Sequence, residues 1–403
     1  MATRDTADTH KADGPVEAEV GATFDEWKGD RSVYWSAKRD AWIVTGYAEA
    51  AEILEDADTF WRDIPQREGS SEFWGRHLLT LEGRDHRRMH SLHMRLTSQT
   101  FAEDIRERGR EHCRGVISRL LKQGRADLAA DYADTVVFLI GCDFVGYDIA
   151  DASTMESLLL QMQIRAKWKE ALHAEKGISL ESKIARDGQA ALKAMASILL
   201  PIIRERRKHP RKDLISALWQ KGPGVFSDWN EHDVLSTCWS SLDNETKPFL
   251  RGLLYILCRD LELQAKLRRD PSLVAGFVEE GLRFLTPFRT IRRVVKQDVE
   301  IGGQRMHRGD SIYLITPLAN RDEEHWKCPY AFDAERQQES IHFAFGFGPG
   351  YCVGRYVGRV EAAEAVKAIL AETSTFSLDP KGAKPQWHGE MYHSVTPIHA
   401  ILQ

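Results

Sequence analysis

The chain has 403 residues, 42% of them hydrophobic and 29% charged, with a formal net charge of −5. That balance excludes a disordered chain and leaves no basic footprint for nucleic acid. The length suffices to bury a large core around a cofactor, and no run of about 18 apolar residues points to a membrane-spanning helix.

In chain order, residues 1–20 are polar and mixed in charge, with no apolar signal segment, and read as a flexible tail. The six cysteines (Cys113, Cys142, Cys238, Cys258, Cys328 and Cys352) are scattered without a CxxC pair. They read as reduced thiols of a cytoplasmic protein, not zinc ligands. Apolar residues at three- and four-residue steps predict helices over Tyr47–Asp56, Asp104–Gly124, Asp127–Phe144 and Ser179–Leu200. Short strand signals lie at Trp42–Thr45, Val294-Val295, Val299–Ile301 and Ser311–Ile315. Arg62–Thr80 reads as an irregular functional loop and about 166–179 as a second mobile region. No linker divides the chain. The fold class is mainly α with small β-sheets, one large domain over residues 21–403.

Residues 342–361 read HFAFGFGPGYCVGRYVGRVE. Gly346, Gly348, Gly350 and Gly354 surround Cys352, so the backbone there can turn tightly and approach a flat ligand. A helical pattern follows Gly354. Cys352 therefore sits just before a helix N-terminus, where orphan N–H groups favour a thiolate.

This run resembles the haem-ligand signature of the cytochrome P450 family, Phe-x-x-Gly-x-x-x-Cys-x-Gly, with Phe345, Gly348, Cys352 and Gly354 in its places. Further segments match in the family's order: Glu280-Gly281-Leu282-Arg283, Thr286-Pro287-Phe288, Arg292-Arg293-Val294, Ala319-Asn320-Arg321-Asp322 and Phe332-Asp333. The resemblance implies a P450-type domain enclosing haem b, with Cys352 as the axial ligand to iron and Phe345, Gly346 and Gly354 shaping its loop. It implies a structural ion pair between Glu280 and Arg283. It assigns the haem carboxylates to His86, Arg293 and His342, with His90 standing where the family often has arginine.

The family's long distal helix corresponds to Trp239–Pro248. Two registers are open. One makes Glu245-Thr246 the usual acid–alcohol pair and puts Leu242 and Asp243 at the small positions. The other, which needs no deletion downstream, puts Ser241 and Leu242 at the small positions, Asn244 in place of the acid and Glu245 in place of the threonine. Asp243, Asn244, Glu245 and Thr246 are the catalytic candidates. Pro248 lacks an N–H for residue 244, so the helix is expected to kink or open near Asn244.

Trp61, Phe73, Trp74, Trp168, Trp239, Leu242, Phe288 and Ile291 are candidate substrate contacts, although each aromatic alone is more often core. The resemblance implies a monomeric monooxygenase of secondary metabolism, fed by an external ferredoxin- or flavodoxin-type donor that Arg355 and Arg359 could dock. Two other readings stay open. One is a peroxide-using or non-oxygen-inserting enzyme relying on Glu245; the other is a non-enzymatic haem sensor or carrier.

Overall fold

The computed structural model describes residues 15–63, 69–149, 151–174, 177–242, 245–337, 340–389 and 391–403. Helices dominate. One large apolar core unites helices Arg106–Leu121, Thr135–Val145, Glu231–Leu242, Thr246–Arg259, Val274–Leu285 and Arg355–Glu372. A smaller core lies under the main sheet, around Val44, Ile53, Ile312 and Phe343.

That sheet has five strands, ordered Val33–Ser36, Ala41–Val44, Ser311–Ile315, Thr290–Val295 and Phe60–Arg62. Ala41–Val44 pairs parallel with Ser311–Ile315, and the other pairings are antiparallel. One edge therefore places Arg62 directly opposite Arg293. A hairpin of Gln386–His388 and Ser394–Thr396 carries Met391 and Tyr392 in its turn.

Several sequence expectations change. The tail expected to residue 20 gives way at Pro15 to a helix, Pro15–Ala22, which buries Val16 and Val20 in the large core. The segment expected to be mobile over 166–179 is helix as far as His173, the end of the 22-residue helix Ala152–His173. The Arg62–Thr80 loop contains a short helix, Ser70–Trp74. The helix expected to stop at Leu200 continues past Pro201 to Lys208.

The central helix is broken where its proline requires. Glu231–Leu242 ends, and Thr246–Arg259 begins with Pro248 in its first turn, where no N–H partner is needed. The first half packs closely on its neighbour. A Cβ on Gly141 would lie 2.7 Å from the carbonyl oxygen of Ser241, so only glycine admits this approach.

Candidate active site

A cavity of about 380 Å³ lies between the cysteine loop, the break in the central helix and the sheet edge. Its wall includes Phe345, Gly346, Cys352 and Gly354. Gly346 and Gly348 hold φ values of 72° and 64°, which let the loop double back. The Cys352 amide then donates to the Phe345 carbonyl at 2.9 Å. Three successive carbonyls of this loop are held by side chains. His90 Nε2 meets Tyr351 O at 2.8 Å, Arg355 Nη1 donates to Cys352 O at 3.1 Å and Thr97 Oγ1 donates to Val353 O at 2.6 Å.

The Cys352 side chain is exposed, and the surface it meets is the cavity. Desolvation inside the walls of that cavity pushes its thiol up to about 11, outweighing the Gly354 N–H that acts to lower it. The helix itself starts three residues on, at Arg355. Iron bound at this position would favour the thiolate over the thiol.

A second wall gathers positive charge. Arg62 and Arg293 face each other on paired strands and both line the cavity with His86. Arg62 Nη2 lies 3.4 Å from His86 Nδ1, and Arg62 Nη1 donates to Leu78 O at 2.8 Å. Burial, and then Arg62, push Arg293 down to about 9; burial likewise lowers Arg62 to about 10. Burial and the two arginines' field hold His86 near 3. Like charges opposed on a ladder destabilise a sheet, so this wall is shaped for an anion.

At the helix break, Glu245 and Thr246 point to different neighbours. The Thr246 hydroxyl lies 3.2 Å from where a Cβ on Gly358 would sit, against the helix that follows the cysteine. The Glu245 carboxylate lies 3.6 Å from Lys169 of the Ala152–His173 helix. Both residues line the cavity. Asp243 and Asn244 lie outside the described residues.

The family model for cytochrome P450 matches residues 28–398. The chain belongs to the cytochrome P450 family. It is 27% identical over 356 residues to the biotin biosynthesis cytochrome P450 of Bacillus subtilis, covering 85% of each chain. It is 25% identical over 357 residues to the 6-deoxyerythronolide B hydroxylase of Saccharopolyspora erythraea, covering 84% of each. Among solved structures, P450BioI in complex with an acyl-ligated acyl carrier protein superposes with a TM-score of 0.81 at 23% identity, covering 97% of this chain and all of that one.

P450 enzymes use haem iron ligated by a cysteine thiolate. The residues present fit that group: a thiol directed into the cavity from a glycine loop, and opposed half-buried arginines in the cavity wall that can take an anion such as the haem carboxylates. Among the described residues no helix is long and apolar enough to cross a membrane.

Within this P450 several expected contacts lie elsewhere. His342 does not line the cavity. It is buried with both nitrogens engaged: Nε2 at 3.0 Å from Glu279, and Nδ1 accepting from Ala344 N at 3.3 Å. His90 lines the cavity, but its Nε2 serves the Tyr351 carbonyl. The Arg359 guanidinium holds both oxygens of Glu279 at 2.7 Å and lies 4.5 Å over the Phe345 ring. Arg355 stacks 4.4 Å from Tyr356 while bracing the loop. Glu280 and Arg283 are wholly buried. Arg336 is a third member of their network, and Arg283 also donates to the carbonyls of Asn320, Pro329 and Ala331.

Of the expected substrate contacts, Trp74, Phe288 and Ile291 line the cavity. Phe73, Trp168, Trp239 and Leu242 are buried away from it. The wholly buried Arg165 explains three of the four: its guanidinium sits 4.0 Å from the Phe73 ring and 5.3 Å from Trp239, and Phe73 meets Trp168 edge-on at 5.0 Å. Leu242 packs on Gly141. Trp61 neighbours Arg62 in an alternating strand, so it faces away from the cavity, under Lys296.

The sequence reading places the 61–80 and 160–180 segments at the pocket without giving Arg62, His77, Lys169 or His173 a role there, and it missed Met391 and Tyr392. Only the last residues of the Ala152–His173 helix carried a signal: Arg165, Lys169 and His173 recur every four residues, a single helical stripe.

Proposed function

We propose that this P450 inserts oxygen into a small, largely apolar organic substrate, with Cys352 as the residue that would hold the haem iron and Glu245 as the proton donor. The observation that carries this reading is the position of Glu245, a carboxylate in the cavity wall at the break of the central helix. The hydroxylase named among the relatives supports oxygen insertion, and so do homologues in secondary metabolism. Trp74, Phe288, Ile291 and Met391 offer an apolar, partly aromatic seat.

When bound, the haem iron supplies the oxidising centre: one atom of O2 enters the substrate and the other leaves as water, consuming two electrons and two protons. The residues of the chain do the rest. His90, Arg355 and Thr97 fix the carbonyls that orient the Cys352 thiolate. Arg62, Arg293 and His86 would hold the haem carboxylates. Glu245 hands protons into the cavity. The electrons come from an external ferredoxin- or flavodoxin-type partner to a monomeric enzyme, and the six free thiols support a reducing, cytoplasmic setting.

The same carboxylate favours a second reading, in which hydrogen peroxide supplies both the oxygen atom and the electrons. Two measurements on the holoenzyme separate them: O2 consumption driven by a ferredoxin and its reductase, and consumption of hydrogen peroxide. Glu245→Gln is expected to slow the physiological route about 100-fold or more, within the range of general acid catalysis. Donor-driven oxidation unchanged in the variant, with peroxide consumption lost, establishes the second reading. Both routes unchanged removes Glu245 from the chemistry.

A further inference from the structure

Lys169 ties Glu245 to the helix over the substrate cavity, at 3.6 Å. Its side chain is 5% exposed, and that of Glu245, open to the cavity, is 39% exposed. The ammonium also lies 4.7 Å from the centre of the Tyr392 ring, and Tyr392 meets Phe288 edge-on at 5.4 Å. Lys169 thus joins three elements around the cavity: the Ala152–His173 helix, the break in the central helix and the turn of the C-terminal hairpin. Removing an ammonium from water is costly unless an anion or an aromatic face takes water's place, and Glu245 and Tyr392 both lie beside this one. Glu245 caps the Thr246–Arg259 helix with its carbonyl accepting from Phe249 N at 3.3 Å, so its backbone is held while its side chain makes no capping bond. Its carboxylate would otherwise be free to swing along the cavity wall.

We propose that Lys169 is the positioning residue for Glu245. Its ammonium sets the direction of the carboxylate, so that proton delivery depends on the Ala152–His173 helix lying against the helix break. Tyr392 in turn fixes the ammonium. Because Tyr392 and Phe288 belong to the substrate wall, a substrate that seats against them presses on the same contact that aims the acid. The inference rests on the proposed role of Glu245.

The test compares the holoenzyme variants Lys169→Met, Lys169→Arg, Glu245→Gln and the double variant Lys169→Met/Glu245→Gln. The readouts are the rate of donor-driven O2 consumption, the kcat and KM for hydrogen peroxide, and the haem content. Lys169→Met is expected to lower the rates by a factor within about threefold of that for Glu245→Gln. KM and haem content stay near those of the parent. Lys169→Arg restores most of the rate, and the double variant is no slower than Glu245→Gln, as residues acting as one unit require. An unimpaired Glu245→Gln overturns the reading of Glu245 itself. An impaired Glu245→Gln beside an unimpaired Lys169→Met overturns only the positioning role. So do effects of the two substitutions that multiply in the double variant, or a Lys169→Arg as slow as Lys169→Met. If Lys169→Met does not take up haem, Lys169→Gln replaces it under the same criteria.

Discussion

The cysteine side of the cavity and the helix break across from it both carry ion pairs, but the charges are held differently. Around the cysteine loop the pairs are short and multiple. Arg283 and Arg336 both hold Glu280, at 2.7 and 3.0 Å, and Arg359 grips both oxygens of Glu279. Their remaining hydrogen bonds go to backbone carbonyls, so these networks fix the chain trace. At the break, Lys169 and Glu245 stand 3.6 Å apart, joining helices through side chains alone. The first arrangement holds a ligand loop in one geometry. The second leaves a carboxylate exposed to the cavity and able to respond to its neighbours.

The largest expected effect lies on the rigid side. Arg283→Ala leaves Glu280 buried with Arg336 as its remaining cation and takes the arginine donor from the carbonyls of Asn320 and Pro329, while Ala331 O keeps Arg336. Breaking such a buried network costs about 3–5 kcal/mol, read as a lower midpoint in urea unfolding together with poor haem incorporation. A loss below about 1 kcal/mol would show that the cysteine side tolerates rearrangement, and the contrast would fail.

The two sides also differed in how readable they were. The cysteine loop is a contiguous string whose glycines and thiol sit at fixed spacing, and the helical period after Gly354 marked the Arg355–Glu372 helix. The break was legible because Pro248 lacks an N–H. What stayed hidden depends on contacts between distant segments. Arg62 becomes part of an anion-holding wall only because Phe60–Arg62 pairs with Thr290–Val295. His342 carried the right chemistry for a haem carboxylate, but Glu279 claims it. Aromatic residue type could not distinguish Trp74, in the cavity wall, from Phe73 and Trp239 around Arg165. The stripe of Arg165, Lys169 and His173 was in the sequence, but charged residues on a helix are ordinarily solvated.

Acid gives a smaller effect on the same rigid side. Burial acts to raise the Glu279 carboxyl, but hydrogen bonds from Arg359 and His342 outweigh it and hold the group near 2, below its ordinary 4.5. A depressed carboxylate contributes stability that is fully present above about pH 4.5 and is lost as the pH falls toward 2. Glu279 is partly exposed, so its share is on the order of 2 kcal/mol after solvent screening. Unfolding midpoints between pH 6 and 3 are expected to fall more steeply for the parent than for Glu279→Gln. Parallel slopes would mean that the triad with Arg359 and His342 contributes nothing to stability.

The smallest expected change in stability lies at the break, and it sharpens the contrast most. Gly141→Ala gains about 1 kcal/mol of helix propensity, but its new methyl would lie 2.7 Å from the Ser241 carbonyl. Overpacking against backbone costs about 1–3 kcal/mol, so the net loss is about 1 kcal/mol. The strain falls on the end of the Glu231–Leu242 helix, whose Ser241 lines the cavity and whose next described residue is Glu245. Turnover is therefore expected to fall by more than the unfolding midpoint implies, with haem content unchanged. A variant that loses stability and haem together, with the turnover of each loaded molecule intact, would instead place the break among the elements that hold the fold.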